Sequence, residues 1–127
     1  MKLRLKDNSL RLRVSQSELA RLIDAGHIES SIYFAQDETS KFTYALELDP
    51  AAERTALRYA PHNVTVVVAT AEAVLWGKTE QVGIYATVDI GPRGSVDILV
   101  EKDYACLDLS DAENADTFPN PNTCAPA

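Results

Sequence analysis

Two carboxylate pairs recur in this chain at the same internal spacing: Glu47 with Asp49, and Glu101 with Asp103. Residues two apart on a strand share a face, so either pair could hold a divalent cation such as Mg2+ or divide the roles of acid and base. The chain supplies no nucleophile set beside a histidine and no glycine-rich phosphate loop to go with them. Strand ends also carry solvent-facing Glu and Asp as a matter of course. A non-catalytic reading therefore comes first, and a small divalent-metal-dependent enzyme using Glu47, Asp49, Glu101 and Asp103 is its alternative. Cys106 and Cys124, with His27 or His62, offer the thiolate and imidazole groups that zinc takes. There is no CxxC, however, and the histidines fall in separate loops. No metal and no cofactor is expected; Cys106 reads as a reduced thiol on a strand.

The second constellation is basic. Lys2, Arg4, Lys6, Arg11 and Arg13 stand against a single acid, Asp7, in the first thirteen residues. Clustered cations raise the local concentration of anions and release counterions on binding, so these five are the candidate ligand-binding residues. Nucleic-acid domains carry an overall basic footprint, and a net charge of −7 argues against that partner. The expected partner is a protein or an anionic ligand. Residues 1–60 hold nine Lys/Arg and nine Asp/Glu, whereas residues 61–127 hold three against ten. Asp103, Asp108, Asp111, Glu113 and Asp116 lie in a stretch without Lys or Arg. That stretch could itself fold over the basic hairpin, with Phe118 as its apolar anchor.

The elements that must position these groups follow from periodicity. Lys2–Lys6 and Leu10–Val14 alternate strictly around Asp7-Asn8-Ser9, which predicts a β-hairpin with leucines on one face and cations on the other. Ser15-Gln16-Ser17-Glu18 has the spacing of a capping box and Gly26 that of a C-cap, so a short helix follows. Strands are predicted over 28–34 and 42–48, a linker over 49–54, and strands over 55–59 and 64–68. A helix from a Thr70 cap to a stop at Gly77 comes next, then strands over 82–88 and 95–100.

The pattern repeats. Residues 2–49 superpose on 56–103 without a gap, matching Leu3/Leu57, Arg4/Arg58, Val14/Val68, Glu18/Glu72, Glu47/Glu101 and Asp49/Asp103 identically. The apolar phase matches too: Leu10, Leu12, Val14 and Ile28 fall on Val64, Val66, Val68 and Val82. A slip of one residue would turn each strand's side chains to the opposite face, so shared phase carries more weight than identity. The expected fold is α+β: two ββαββ repeats, about 2–49 and 56–103, form one curled antiparallel sheet or small barrel. Two short helices lie outside it, and an acidic and Pro-rich arm covers 104–127.

At 127 residues, the chain is predicted to form a single domain over 1–127, burying roughly two-thirds of its unfolded surface. No apolar run approaches the ~20 residues that span a bilayer, and Met1-Lys2-Leu3-Arg4 leads into alternation instead of a signal-peptide core. A cytoplasmic monomer or homodimer with no membrane partner is expected, with both cysteines reduced.

The segment from Asn8-Ser9-Leu10 to Ser15, with Glu18, Leu19 and Leu22, resembles the opening of the swapped-hairpin domains of AbrB and MazE-type regulators and antitoxins. That resemblance implies a DNA grip by Arg11 and Arg13, whose places Thr65 and Val67 take in the second repeat. Asp7 stands where those domains usually have glycine, and Ser15 where they usually have proline. Over the whole chain, Leu99-Val100-Glu101-Lys102-Asp103-Tyr104-Ala105-Cys106-Leu107 with Phe118-Pro119-Asn120-Pro121 and Cys124 resembles a small bacterial family known only as a domain of unknown function. That resemblance implies a genuine fold unit and no particular activity.

Overall fold

In the computed structural model, which describes residues 1–105 and 114–119, alternation becomes strands almost where periodicity puts them. The order is β1 (Lys2–Lys6), β2 (Ser9–Val14), α1 (Gln16–Ala25), β3 (His27–Tyr33), β4 (Lys41–Asp49), β5 (Ala56–Ala60), β6 (Asn63–Ala69), α2 (Thr70–Lys78), β7 (Gly83–Asp89) and β8 (Ser95–Lys102). The capping box forms as spelled. The Ser15 side chain accepts from the Glu18 amide, Glu18 reaches back to the Ser15 amide, and Gly26 closes α1 at φ 81°. Positive φ is the region where glycine has no Cβ penalty.

The single curled sheet or barrel does not form. The strands make two four-stranded sheets: one in the order β1-β2-β8-β7, here sheet A, the other β3-β4-β6-β5, here sheet B. Neither closes on itself. Nor is either wholly antiparallel, because β2 runs parallel to β8 and β4 parallel to β6. The helices are the reason. Each one follows the first hairpin of its half and carries the chain to the other layer, so each half gives one hairpin to each sheet. Leu10, Leu12, Val14, Ile84, Ile98 and Val100 from sheet A meet Ile28, Leu46, Val64, Val66 and Val68 from sheet B in one buried cluster, together with Leu19, Leu22, Ala73 and Trp76 of the helices.

The registers of the central pairs correspond. Leu10 lies opposite Ile98 and Leu12 opposite Val100, while Val64 lies opposite Tyr44 and Val66 opposite Leu46. Leu10, Leu12 and Val14 thus occupy the same topological setting as Val64, Val66 and Val68. The gapless superposition fails at one strand, where it lays Ile28 on Val82. Ile28 in fact faces Leu46 as Ile84 faces Val100, and Ile84 is buried while Val82 is exposed. The connection after β7 is two residues shorter than that after β3. An even shift keeps every side chain on its face, so alternation alone could not reveal it.

Two further expectations change. Thr70 does not cap α2: it is the first helical residue, the N-cap is Ala69, and no side chain caps this end. Gly77 does not stop α2, which runs on to Lys78. A Cβ on Gly77 would sit 2.5 Å from Ile23 Cδ1, so this glycine is there to let α1 and α2 touch. After β8, Phe118 does find a pocket. Its amide donates to the Asp103 carbonyl at 2.8 Å, its carbonyl accepts from Ala105 at 2.7 Å, and its ring packs on the core cluster. No helix among the described residues is long and apolar enough to cross a membrane.

Candidate functional site

The β1–β2 hairpin sets its five cations on the outer face of sheet A, because inward leucines alternate with them on both strands. Lys2 lies opposite Arg13 and Arg4 opposite Arg11, and like charges directly opposite one another are destabilising. Relief comes from the other hairpin of the sheet. β8 brings Glu101 alongside Arg13; Arg11 Nη1 lies 3.7 Å from Glu101 Oε1, and Lys2 Nζ lies 2.9 Å from Asp103 Oδ2. Tyr85 on β7 donates its hydroxyl to Glu101 Oε2 at 2.8 Å. Burial, then this bond, pushes the Tyr85 phenol up to about 12. Burial, followed by the charge of Arg13, draws the Arg11 guanidinium down; Glu101 opposes them and Arg4 adds to them. Lys2, Leu3, Arg4, Arg11 and Arg13 line a cavity of about 400 Å3 on this side. Four of the five expected basic residues are therefore gathered at one place. Lys6 lies beyond it, at the hairpin turn.

The carboxylate pairs do not come together. Glu47 belongs to sheet B and Glu101 to sheet A. Glu47 accepts from Arg58 Nη2 at 3.1 Å through each oxygen and lies 3.2 Å from His27 Nδ1, whose Nε2 is 2.9 Å from Glu29. Asp49 accepts from the Ala51 amide at 2.9 Å and so serves a turn. Asp103 pairs with Lys2 and Glu101 with Arg11 and Tyr85. Among the described residues, no group of three or more His, Cys, Asp or Glu is arranged to hold a metal. Cys106, Cys124, Asp108, Asp111 and Glu113 lie outside the described residues. Of the acidic stretch, Asp103 reaches the hairpin at Lys2, whereas Asp116 goes to the start of α1, where its Oδ1 accepts from the Ser17 amide at 3.0 Å.

Sequence reasoning missed three features. Lys102 is buried, with Nζ 2.7 Å from the Thr79 carbonyl and 5.3 Å from the Phe118 ring centroid. Gly83 is required, since a Cβ there would lie 2.5 Å from the Val100 carbonyl and 2.9 Å from Tyr85 Oη. The third is a cleft of about 660 Å3 between the layers, lined by Leu5 of sheet A and by Phe34, Lys41, Phe42 and His62 on the sheet B side. Alternation marks Leu5 and Phe42 as inward-facing, but nothing in it says where the covering layer ends.

The model of the family of unknown function DUF7009 matches residues 1–122, and the chain belongs to that family. Neither the curated proteins nor the solved structures contain a match.

Proposed function

We propose that the protein is a non-catalytic binding domain that takes an anionic partner on the outer face of sheet A. The observation that carries this reading is the crowding of Lys2, Arg4, Arg11 and Arg13 around one cavity, with like charges opposite each other in the register. An anion placed there would meet four cationic side chains at once. Catalysis by the strand-end carboxylates is disfavoured, because each is engaged by a cation or a backbone amide and the two pairs sit on different sheets. A net charge of −7 favours a protein or small anion over the nucleic acid that Arg11 and Arg13 would grip in the swapped-hairpin regulators.

The two halves are proposed to descend from one duplicated ββαββ unit. The corresponding registers of β2–β8 and β4–β6 support this. On that reading residues 1–127 are one domain, Arg4 is shared with Arg58, and Lys2, Lys6, Arg11 and Arg13 are an acquisition of the first half. Titration of the full chain with inorganic tripolyphosphate by calorimetry tests the binding. Arg11→Thr with Arg13→Val installs the residues that stand at 65 and 67. The wild type is expected to bind, more weakly as salt rises, and the double variant to bind at least about ten-fold more weakly. Equal affinity in the two proteins, or none in either, overturns the reading.

A further inference from the structure

Strand β1 is the edge of sheet A, and no described strand lies beyond it. Its hairpin closes on the pair Lys6 and Ser9 across two residues, Asp7 and Asn8, with Asp7 at φ 50°. Hydrogen-bonded and non-hydrogen-bonded pairs alternate along such a ladder, starting from the closing pair. Lys2, Arg4 and Lys6 therefore direct their amides and carbonyls to β2, while Leu3 and Leu5 direct theirs to the open edge. The side chains divide the other way. Lys2, Arg4 and Lys6 rise from the outer face, and Leu3 and Leu5 face the inner layer. Leu5 is 64% exposed although it holds an inward position, and it forms one wall of the apolar cleft with Phe34 and Phe42. The edge thus presents backbone hydrogen-bonding groups, cations above them and uncovered leucine below.

We propose that β1 accepts, as a fifth strand of sheet A, an extended segment of another protein in which acidic and apolar residues alternate. This rests on the anionic-partner reading and names the partner. Added strands gain affinity from the main chain and specificity from alternate side chains. Acidic side chains on the incoming strand would lie beside Lys2, Arg4 and Lys6, and apolar ones would cover Leu3 and Leu5. A second copy of β1 is excluded as occupant, since antiparallel self-pairing would set those three cations against themselves. The equivalent edge of sheet B, β5, has Ala56, Arg58 and Ala60 in the matching places, so it lacks the charge to compete.

The test uses the full chain and fluorescein-labelled peptides read by anisotropy. One peptide alternates Glu and Val. A second has the same composition in two blocks, and a third is the alternating peptide N-methylated on the amides that would face β1. The alternating peptide is expected to bind at least about ten-fold tighter than either control, and Leu5→Thr to weaken it while leaving tripolyphosphate binding unchanged. Equal binding of all three peptides overturns strand addition yet leaves the anion-binding face standing. Binding of neither peptides nor tripolyphosphate overturns both. Duplex DNA that binds more tightly than the alternating peptide at the same salt overturns the choice of a protein partner.

Discussion

The outer faces of the two sheets are built on one register and have opposite characters. On sheet A the row Arg4–Arg11–Leu99–Tyr85 crosses the four strands; the corresponding row on sheet B is Arg58–Thr65–Ala45–Glu29. On sheet B, Thr43, Ala45, Thr65 and Val67 on the two central strands are all buried despite facing outward. Arg58, Glu47, His27 and Glu29 form the polar chain across that face. Most inward residues of the central strands, by contrast, match in type and depth, Leu10, Leu12, Val14 and Leu46 with Val64, Val66, Val68 and Val100; Tyr44 against Ile98 and Leu48 against Lys102 are the exceptions. A shared core constrains inward positions in both halves equally, because each sheet buries its face against the other. Outward positions carry no such constraint, so the two faces are free to differ there.

The largest test of that shared core is to cut each sheet once. Leu12→Ala in sheet A and Leu46→Ala in sheet B each remove a fully buried side chain and should cost about 2–5 kcal/mol. Both variants should unfold in urea in a single transition with the wild-type slope. A second transition in either would show that the layers melt separately and that the comparison joins two independent objects.

Gly83 and His27 give the next contrast, as both stand opposite a glutamate at the start of an outer strand, Glu101 and Glu47 respectively. Gly83→Ala would drive a Cβ into the Val100 carbonyl and displace Tyr85, at about 1–3 kcal/mol. His27→Ala removes only exposed pairings and should cost under about 0.5 kcal/mol. Thermal melts of the two variants decide it, and equal losses would mean that Gly83 does not hold the close approach described.

A smaller asymmetry separates the helices. Glu18 and Glu72 stand at matching places in α1 and α2, but only Glu18 has a Ser15 to complete the capping box. Glu18 also pairs with the Met1 ammonium, which fixes the start of β1. Burial alone would push the Glu18 carboxyl up, but the bonds from Met1 and Ser15 outweigh it and hold the group below the usual carboxylate range. Its stabilisation is therefore complete above the unfolded value of about 4.3 and fades as pH falls through the lower folded value. Glu18→Gln keeps a side chain able to complete the capping box but loses the charge facing the Met1 ammonium; it should cost up to about 1 kcal/mol at neutral pH and soften the acid limb of the stability curve. Glu72→Gln should change stability by under about 0.5 kcal/mol.

Much of this was legible in the sequence where a local rule settles the matter. The two-residue period fixed the strands to within a residue or two, and Ser15-Gln16-Ser17-Glu18 with Gly26 spelled α1 completely. The basic hairpin likewise read directly as five cations on one face. What could not be read was which strands lie side by side. Leu10 meets Ile98 and Arg11 meets Glu101 only because the helices pass the chain between layers, and alternation is blind to which strand lies alongside. The two-residue shift of β7 was invisible for the same reason. The site's second half, Glu101, Tyr85 and Gly83, comes from that non-local pairing.

The smallest expected effect concerns Gly77, which a superposition offset identical to that of the central strands lays on Ile23. These two equivalent positions touch each other, Ile23 Cδ1 occupying the space a Gly77 Cβ would need. A second side chain at 77 would have to push Ile23 aside, and Ile23 is 38% exposed. Exchange of the pair, Ile23→Gly with Gly77→Ile, keeps one knob and one hole and should leave stability within about 0.5 kcal/mol of wild type. Gly77→Ile alone should cost about 1–3 kcal/mol through overpacking, and Ile23→Gly alone about 1 kcal/mol through helix propensity. The exchange therefore recovers what the single changes lose, a coupling that independent surface positions do not show. Were the losses simply additive in the double variant, Ile23 and Gly77 would not be each other's partner, and the equivalence of the two helices would have no contact to rest on.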